Sequence, residues 1–139
     1  MHCAFPMRLP SIILCFSLSS WASVAGAKQP AVDRTYVPAL AAADRFLQAW
    51  QAGDVESGTA LLTGHAKETV TTDVLEEYFS SGAPAAYEIG RGKLLKRGRY
   101  AFPVVLVSGA VEKTRGRRRF SSIVIVDTGN NDWAVDKLP

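Results

Sequence analysis

The sequence predicts an α+β domain: two to three N-terminal helices packed in the concave face of a curved antiparallel sheet of four or more strands. Three observations carry this. Residues 39–62 (PALAAADRFLQAWQAGDVESGTALL from Pro38) repeat apolar positions every three or four residues. Gly53-Asp54 interrupts that pattern as a helix stop followed by a helix start. Beyond Tyr87 the period shifts to that of strands.

The first 27 residues read as an address. Arg8 supplies a positive charge, residues 9–18 (LPSIILCFSL) form an apolar run too short to span a bilayer, and Ala25-Gly26-Ala27 is an A-x-A cleavage site. The pattern predicts a cleavable signal peptide cut after Ala27, hence a periplasmic or secreted protein. A lipid-attachment signal fits less well, because Leu14 rather than a small residue precedes Cys15. Cys3 and Cys15 are both in this segment, so residues 28–139 hold no thiol and predict no disulfide, iron–sulfur cluster or cysteine zinc site. What remains is long enough for one domain with one core, spanning 39–139 behind a lead-in at 28–38.

The first helix is expected over Ala39–Ala52, with Pro38 at its first position. Leu40, Ala43, Phe46, Leu47 and Trp50 share one face; Asp44, Arg45, Gln48 and Gln51 take the other. Gly53 ends it and Asp54 caps a second, shorter helix with Val55, Leu61 and Leu62 on its apolar side. A third is expected over Asp73–Ser80, opened by an Asp73/Glu76 capping box, with Leu75, Tyr78 and Phe79 facing inward. The segment between the second and third, containing His65, reads as a loop. Pro84 prevents the third helix from resuming.

Tyr87–Lys96 reads as one strand, bulged or curved at Gly90 and Gly92. Tyr100–Ser108 is the next; its Pro103 implies an edge position or a bulge. Arg117–Asp127, with Ile123-Val124-Ile125-Val126, is the strongest strand, and the turn at 127–132 leads to a closing strand at Trp133–Leu138. Alternation puts apolar residues on both faces of this sheet. Helices cover one face, so the other is expected to meet the lead-in, its own curl, or a second copy in a homodimer.

The run Arg45-Phe46-Leu47-Gln48-Ala49-Trp50-Gln51-Ala52-Gly53-Asp54-Val55, followed by Ala60-Leu61-Leu62, resembles the opening of the nuclear transport factor 2-like superfamily, which includes ketosteroid isomerases and polyketide cyclases. The resemblance implies a cystatin-like cone with a pocket between sheet and long helix. It does not carry the isomerase chemistry with it. The position of the family's catalytic tyrosine holds Phe46, which has no donor, and the aspartate base falls near Val70, with Glu68 and Asp73 close by in sequence.

No catalytic residue is assigned. Pocket-lining candidates are Phe46, Trp50, Tyr78, Tyr87 and Tyr100. His65 stands alone in residues 28–139, so no metal site is expected, and no motif implies a cofactor. Charge is uneven. Asp44 to Glu88 holds eight acidic and two basic residues, while Arg91 to Arg119 holds ten basic and one acidic. The densest cluster, Lys113, Arg115, Arg117, Arg118 and Arg119 on an expected hairpin, is a candidate anion-binding tip; the plainer reading is a solvated guard beside the apolar strand. Export argues against nucleic acid as the partner. Three functions stay open: a non-catalytic domain binding a small apolar ligand or a protein, a pocket enzyme of isomerase, dehydratase or cyclase type, and an envelope assembly or stress protein acting through the basic hairpin.

Overall fold

The computed structural model describes residues 33–80, 85–109 and 116–139. The expected signal peptide and cleavage site, and Lys113 and Arg115, lie outside these residues. Four helices precede five strands: α1 Tyr36–Ala52, α2 Val55–Ala60, α3 Gly64–Thr69, α4 Thr72–Phe79, β1 Ala86–Ile89, β2 Lys93–Lys96, β3 Arg99–Ser108, β4 Arg117–Gly129 and β5 Asp132–Lys137.

Helix α1 starts three residues before the apolar repeat does. The Asp33 carboxylate accepts from the Thr35 N–H and hydroxyl and turns the chain into the helix. Pro38 is therefore the third helical residue rather than the first, which costs no hydrogen bond because the opening N–H groups of a helix have no internal partner. Gly53 ends the helix in the left-handed conformation, φ 69°, with its N–H on the Ala49 and Trp50 carbonyls. Asp54 caps α2 by accepting from the Ser57 N–H at 3.0 Å.

Two expectations are corrected in the next segment. The stretch around His65 is a helix, α3, capped by Thr63, which accepts from the Ala66 N–H at 3.0 Å. Helix α4 opens at Thr71, whose hydroxyl faces the Val74 N–H, so the Asp73/Glu76 capping box does not form.

The sheet order is β1-β3-β4-β5, with β2 also on β3, all antiparallel. The single strand expected over 87–96 is thus two, laid end to end along one side of β3. Gly90 and Gly92 lie in the break: a Cβ on Gly92 would sit 2.4 Å from the Phe102 ring. Pro103 faces that same break, where the Gly90 N–H donates to its carbonyl at 2.7 Å. Its missing N–H falls where the ladder is already interrupted, so an interior strand tolerates it. On the far side of the sheet, Leu62 bridges Val135 in parallel, with the Thr63 N–H on the Val135 carbonyl and the Val135 N–H on the Leu61 carbonyl, each at 2.8 Å. Asn130 and Asn131, at φ 55° and 60°, make the two-residue turn between β4 and β5.

Helix α1 packs across the sheet on β1, β3, β4 and β5, α3 packs on β5, and α2 and α4 pack on α1; the sheet is not closed. Phe46, Leu47, Phe102, Ile123, Ile125 and Val135 are fully buried there, with Trp50, Phe79, Tyr100 and Trp133 beside them. These side chains form the core cluster. Phe46 packs against the rings of Tyr78 and Phe79, at 6.3 and 5.7 Å between centroids, and does not face a hollow as the cone analogy implied. On the opposite sheet face Val124 is 7% exposed, while Phe120, nearer the start of β4, is 76% exposed.

Candidate functional site at the mouth of the cone

Three elements end close together. The last turn of α1 brings Trp50, the last turn of α4 brings Tyr78, and Trp50 Nε1 ties the two by donating to the Tyr78 carbonyl at 3.0 Å. The end of β3 and the start of β4 supply the opposing wall. Register pairs Leu106 with Arg119 and Ser108 with Arg117. Alternation puts Arg117 and Arg119 on the same face as buried Ile123, while Arg118 projects from the other.

Between these elements lies a cleft of about 360 Å³ lined by Trp50, Val74, Glu77, Tyr78, Leu106, Ser108, Arg117 and Arg119. The Arg119 guanidinium sits 5.5 Å from the centre of the Tyr78 ring, within cation–π range, and donates through Nη2 to the Pro139 carbonyl at 2.7 Å. The Tyr78 hydroxyl is buried with no hydrogen-bond partner among the described residues. Burial raises its pKa well above the ordinary phenol value, and the nearby Arg119 charge offsets only part of this. The phenol therefore stays neutral.

The cleft joins two sets of residues that the sequence offered separately: Trp50 and Tyr78 from the pocket candidates, Arg117 and Arg119 from the basic cluster. Arg118 belongs to the other face. Among the remaining candidates, Tyr87 lines a second, more open groove of about 470 Å³ with Val37, Leu40, Ala41, Asp44 and Ile89. Its hydroxyl donates to Asp44 at 2.7 Å, and burial followed by that carboxylate pushes its pKa up to about 12. Tyr100 lines neither cleft. It is buried in the core, and its hydroxyl meets Asp33 and Thr35. Phe46 lines neither. His65 is exposed on α3, and Val70 ends that helix with its side chain against the core. Val74, Glu77, Leu106 and Ser108 escaped the sequence reading, because only strand register shows which ends of β3 and β4 meet α4.

No family model and no curated protein matches the chain. Among solved structures, a ketosteroid isomerase-like protein from Erwinia carotovora atroseptica superposes with a TM-score of 0.54 at 18% identity, covering 74% of this chain and 92% of that one. An uncharacterized cystatin fold protein from Novosphingobium aromaticivorans gives 0.44 at 15% identity, covering 72% and 97%. The first likeness, with four helices preceding an open antiparallel sheet of five strands, identifies the architecture: the chain has the nuclear transport factor 2-like cone fold.

Proposed function

We propose that this domain is a non-catalytic receptor for a small amphipathic anion, bound at the mouth of the cone and encountered outside the cytoplasm after export. One observation carries the reading: a cleft walled by Trp50, Val74 and Leu106 has the Arg119 guanidinium held over Tyr78 and Arg117 at its rim. An apolar wall with a few convergent polar groups is the usual form of a small-molecule site, and this volume is near its lower end. Arginine's planar donors suit a carboxylate, sulfonate or phosphate. Phe46, at the position of the family's catalytic tyrosine, has no proton-transfer group and is buried against the Tyr78 and Phe79 rings, which supports binding over catalysis. Export rests on the signal-peptide pattern of residues 1–27.

The test uses anilinonaphthalenesulfonate, a fluorescent sulfonate with an apolar body. Its binding should be displaced by decanoate and not by decanol. Arg119→Ala should weaken it roughly tenfold or more, as expected when one charge-assisted contact is lost. Arg118→Ala, on the opposite face, should leave it unchanged. Equal displacement by the alcohol, or equal effects of the two substitutions, would refute the reading.

A second reading concerns assembly. The outer sheet face presents the row Glu88–Val105–Phe120 beside Ala86–Val107–Arg118. An apolar strip flanked by an acid and a base is self-complementary, as a two-fold homodimer requires. Light scattering should give a dimer for the native chain and a monomer for Phe120→Glu with an unchanged circular dichroism spectrum. A native monomer at high concentration would dispose of it.

A further inference from the structure

We infer that the β2–β3 hairpin is a docking surface for an anionic lipid bilayer. Leu94 and Leu95 are adjacent in β2 and are 55% and 54% exposed. In a regular strand one of two neighbours would turn toward the helices. Here the register shifts between Leu94 and Lys96, and both leucines stay at the surface. Arg91, Lys93, Lys96 and Arg97 surround them; all four are exposed and none forms an ion pair among the described residues. No acidic residue occurs from Arg91 to Arg99.

Carboxylates at the neighbouring strand ends are already engaged. Asp136 holds Arg99 at 2.7 Å and accepts from Thr63, and Asp127 accepts from the Gly129 N–H. No carboxylate among the described residues lies within ion-pair distance of the four cations, which leaves them for an external anion. Lysines on an edge strand commonly guard against pairing, but that role gives no reason to expose two leucines between them. Two leucines are also too little apolar surface for a stable protein interface, which takes about 800 Å² from each partner. A bilayer asks for less: shallow insertion of a few apolar side chains, with cations at the level of anionic headgroups. Arg117–Arg119 stand at the opposite end of β3 from this hairpin, since Arg99 pairs with Val126 and Ser108 with Arg117. The two basic clusters are separate surfaces.

Hydrogen exchange on the full chain tests this residue by residue, which matters because residues 9–18 are apolar enough to bind lipid themselves. Vesicles of phosphatidylcholine mixed with phosphatidylglycerol should slow exchange in peptides covering 91–99, more weakly at ~0.15 M salt than at low salt. Pure phosphatidylcholine vesicles should not. Lys93→Glu with Lys96→Glu should reduce that protection about tenfold. Leu94→Ser with Leu95→Ser should abolish it, and all these exposed-site variants should keep the native circular dichroism spectrum. Reversing Arg117, Arg118 and Arg119 to Glu should leave protection at 91–99 intact. The inference fails if anionic vesicles protect other segments and not 91–99, if neutral vesicles protect equally, if the serine variant stays protected, or if soluble dextran sulfate protects this hairpin where vesicles do not.

Discussion

Tyr78 shows how a single side chain can be read in two ways. Its ring is a wall of the cleft and a platform for Arg119; its hydroxyl is buried without a partner among the described residues. An orphaned hydroxyl costs folding free energy, on the order of 1 kcal/mol or more. Tyr78→Phe should therefore leave the protein as stable as before or about 1 kcal/mol more stable in urea unfolding. Destabilisation by that amount would mean the hydroxyl has a partner, such as an ordered water. The sequence offered Tyr78 as one of five pocket-lining candidates, from its place on the apolar side of a short helix. It missed Glu77, the next residue back, because a carboxylate on a helix surface looks solvated until its neighbours across the sheet are known.

At the scale of elements, Thr63 joins three pieces of structure. Its hydroxyl accepts from the Ala66 N–H to cap α3 and donates to Asp136 of β5, at 3.0 Å each. Thr63→Ala should cost about 1–2 kcal/mol, the usual range for a lost cap. Thr63→Ser keeps the hydroxyl and should recover most of it. Equal losses in both variants, measured by denaturant unfolding, would show that the methyl group rather than the hydroxyl matters. Helix α1, the break at Gly53-Asp54 and the strands β3, β4 and β5 were legible in the sequence, because their apolar periods are long and their stops are strong. Helix α3 was not: six residues beginning with Gly64 and His65 carry too little periodicity, and the helix depends on its cap and on Ala66 buried beneath it. The split of the strand expected at 87–96 escaped for a related reason. Gly90 and Gly92 announce an irregularity, but the contact that forces it, with Phe102 and Pro103, comes from a different strand.

For the whole molecule, ionisation sets the limits of stability. Tyr78, Tyr87 and Tyr100 all have raised pKa values, in each case first through burial, with carboxylates adding to the rise at Tyr87 and Tyr100. A phenol whose folded pKa lies above its unfolded value of about 10 stabilises the protein fully below that pH and ceases to do so as pH climbs through the folded value. Asp33 behaves oppositely. Hydrogen bonds from Thr35 and Tyr100 lower its pKa, so its contribution is present above the ordinary carboxylate range and is lost on acidification. The unfolding midpoint should accordingly fall between about pH 10 and 12, and Tyr87→Phe should make that fall shallower. An unchanged slope in Tyr87→Phe would show that Tyr87 does not contribute to alkaline unfolding.

The parallel bridge between Leu62 and Val135 also bears on what the folded domain can join. With Leu61 and Thr63 holding the backbone groups of Val135, a foreign segment seeking to extend the sheet finds that side occupied. The other side offers β1 and β2 separated at Gly90–Gly92, so no uninterrupted template runs its length. Strand-by-strand polymerisation is obstructed at both margins.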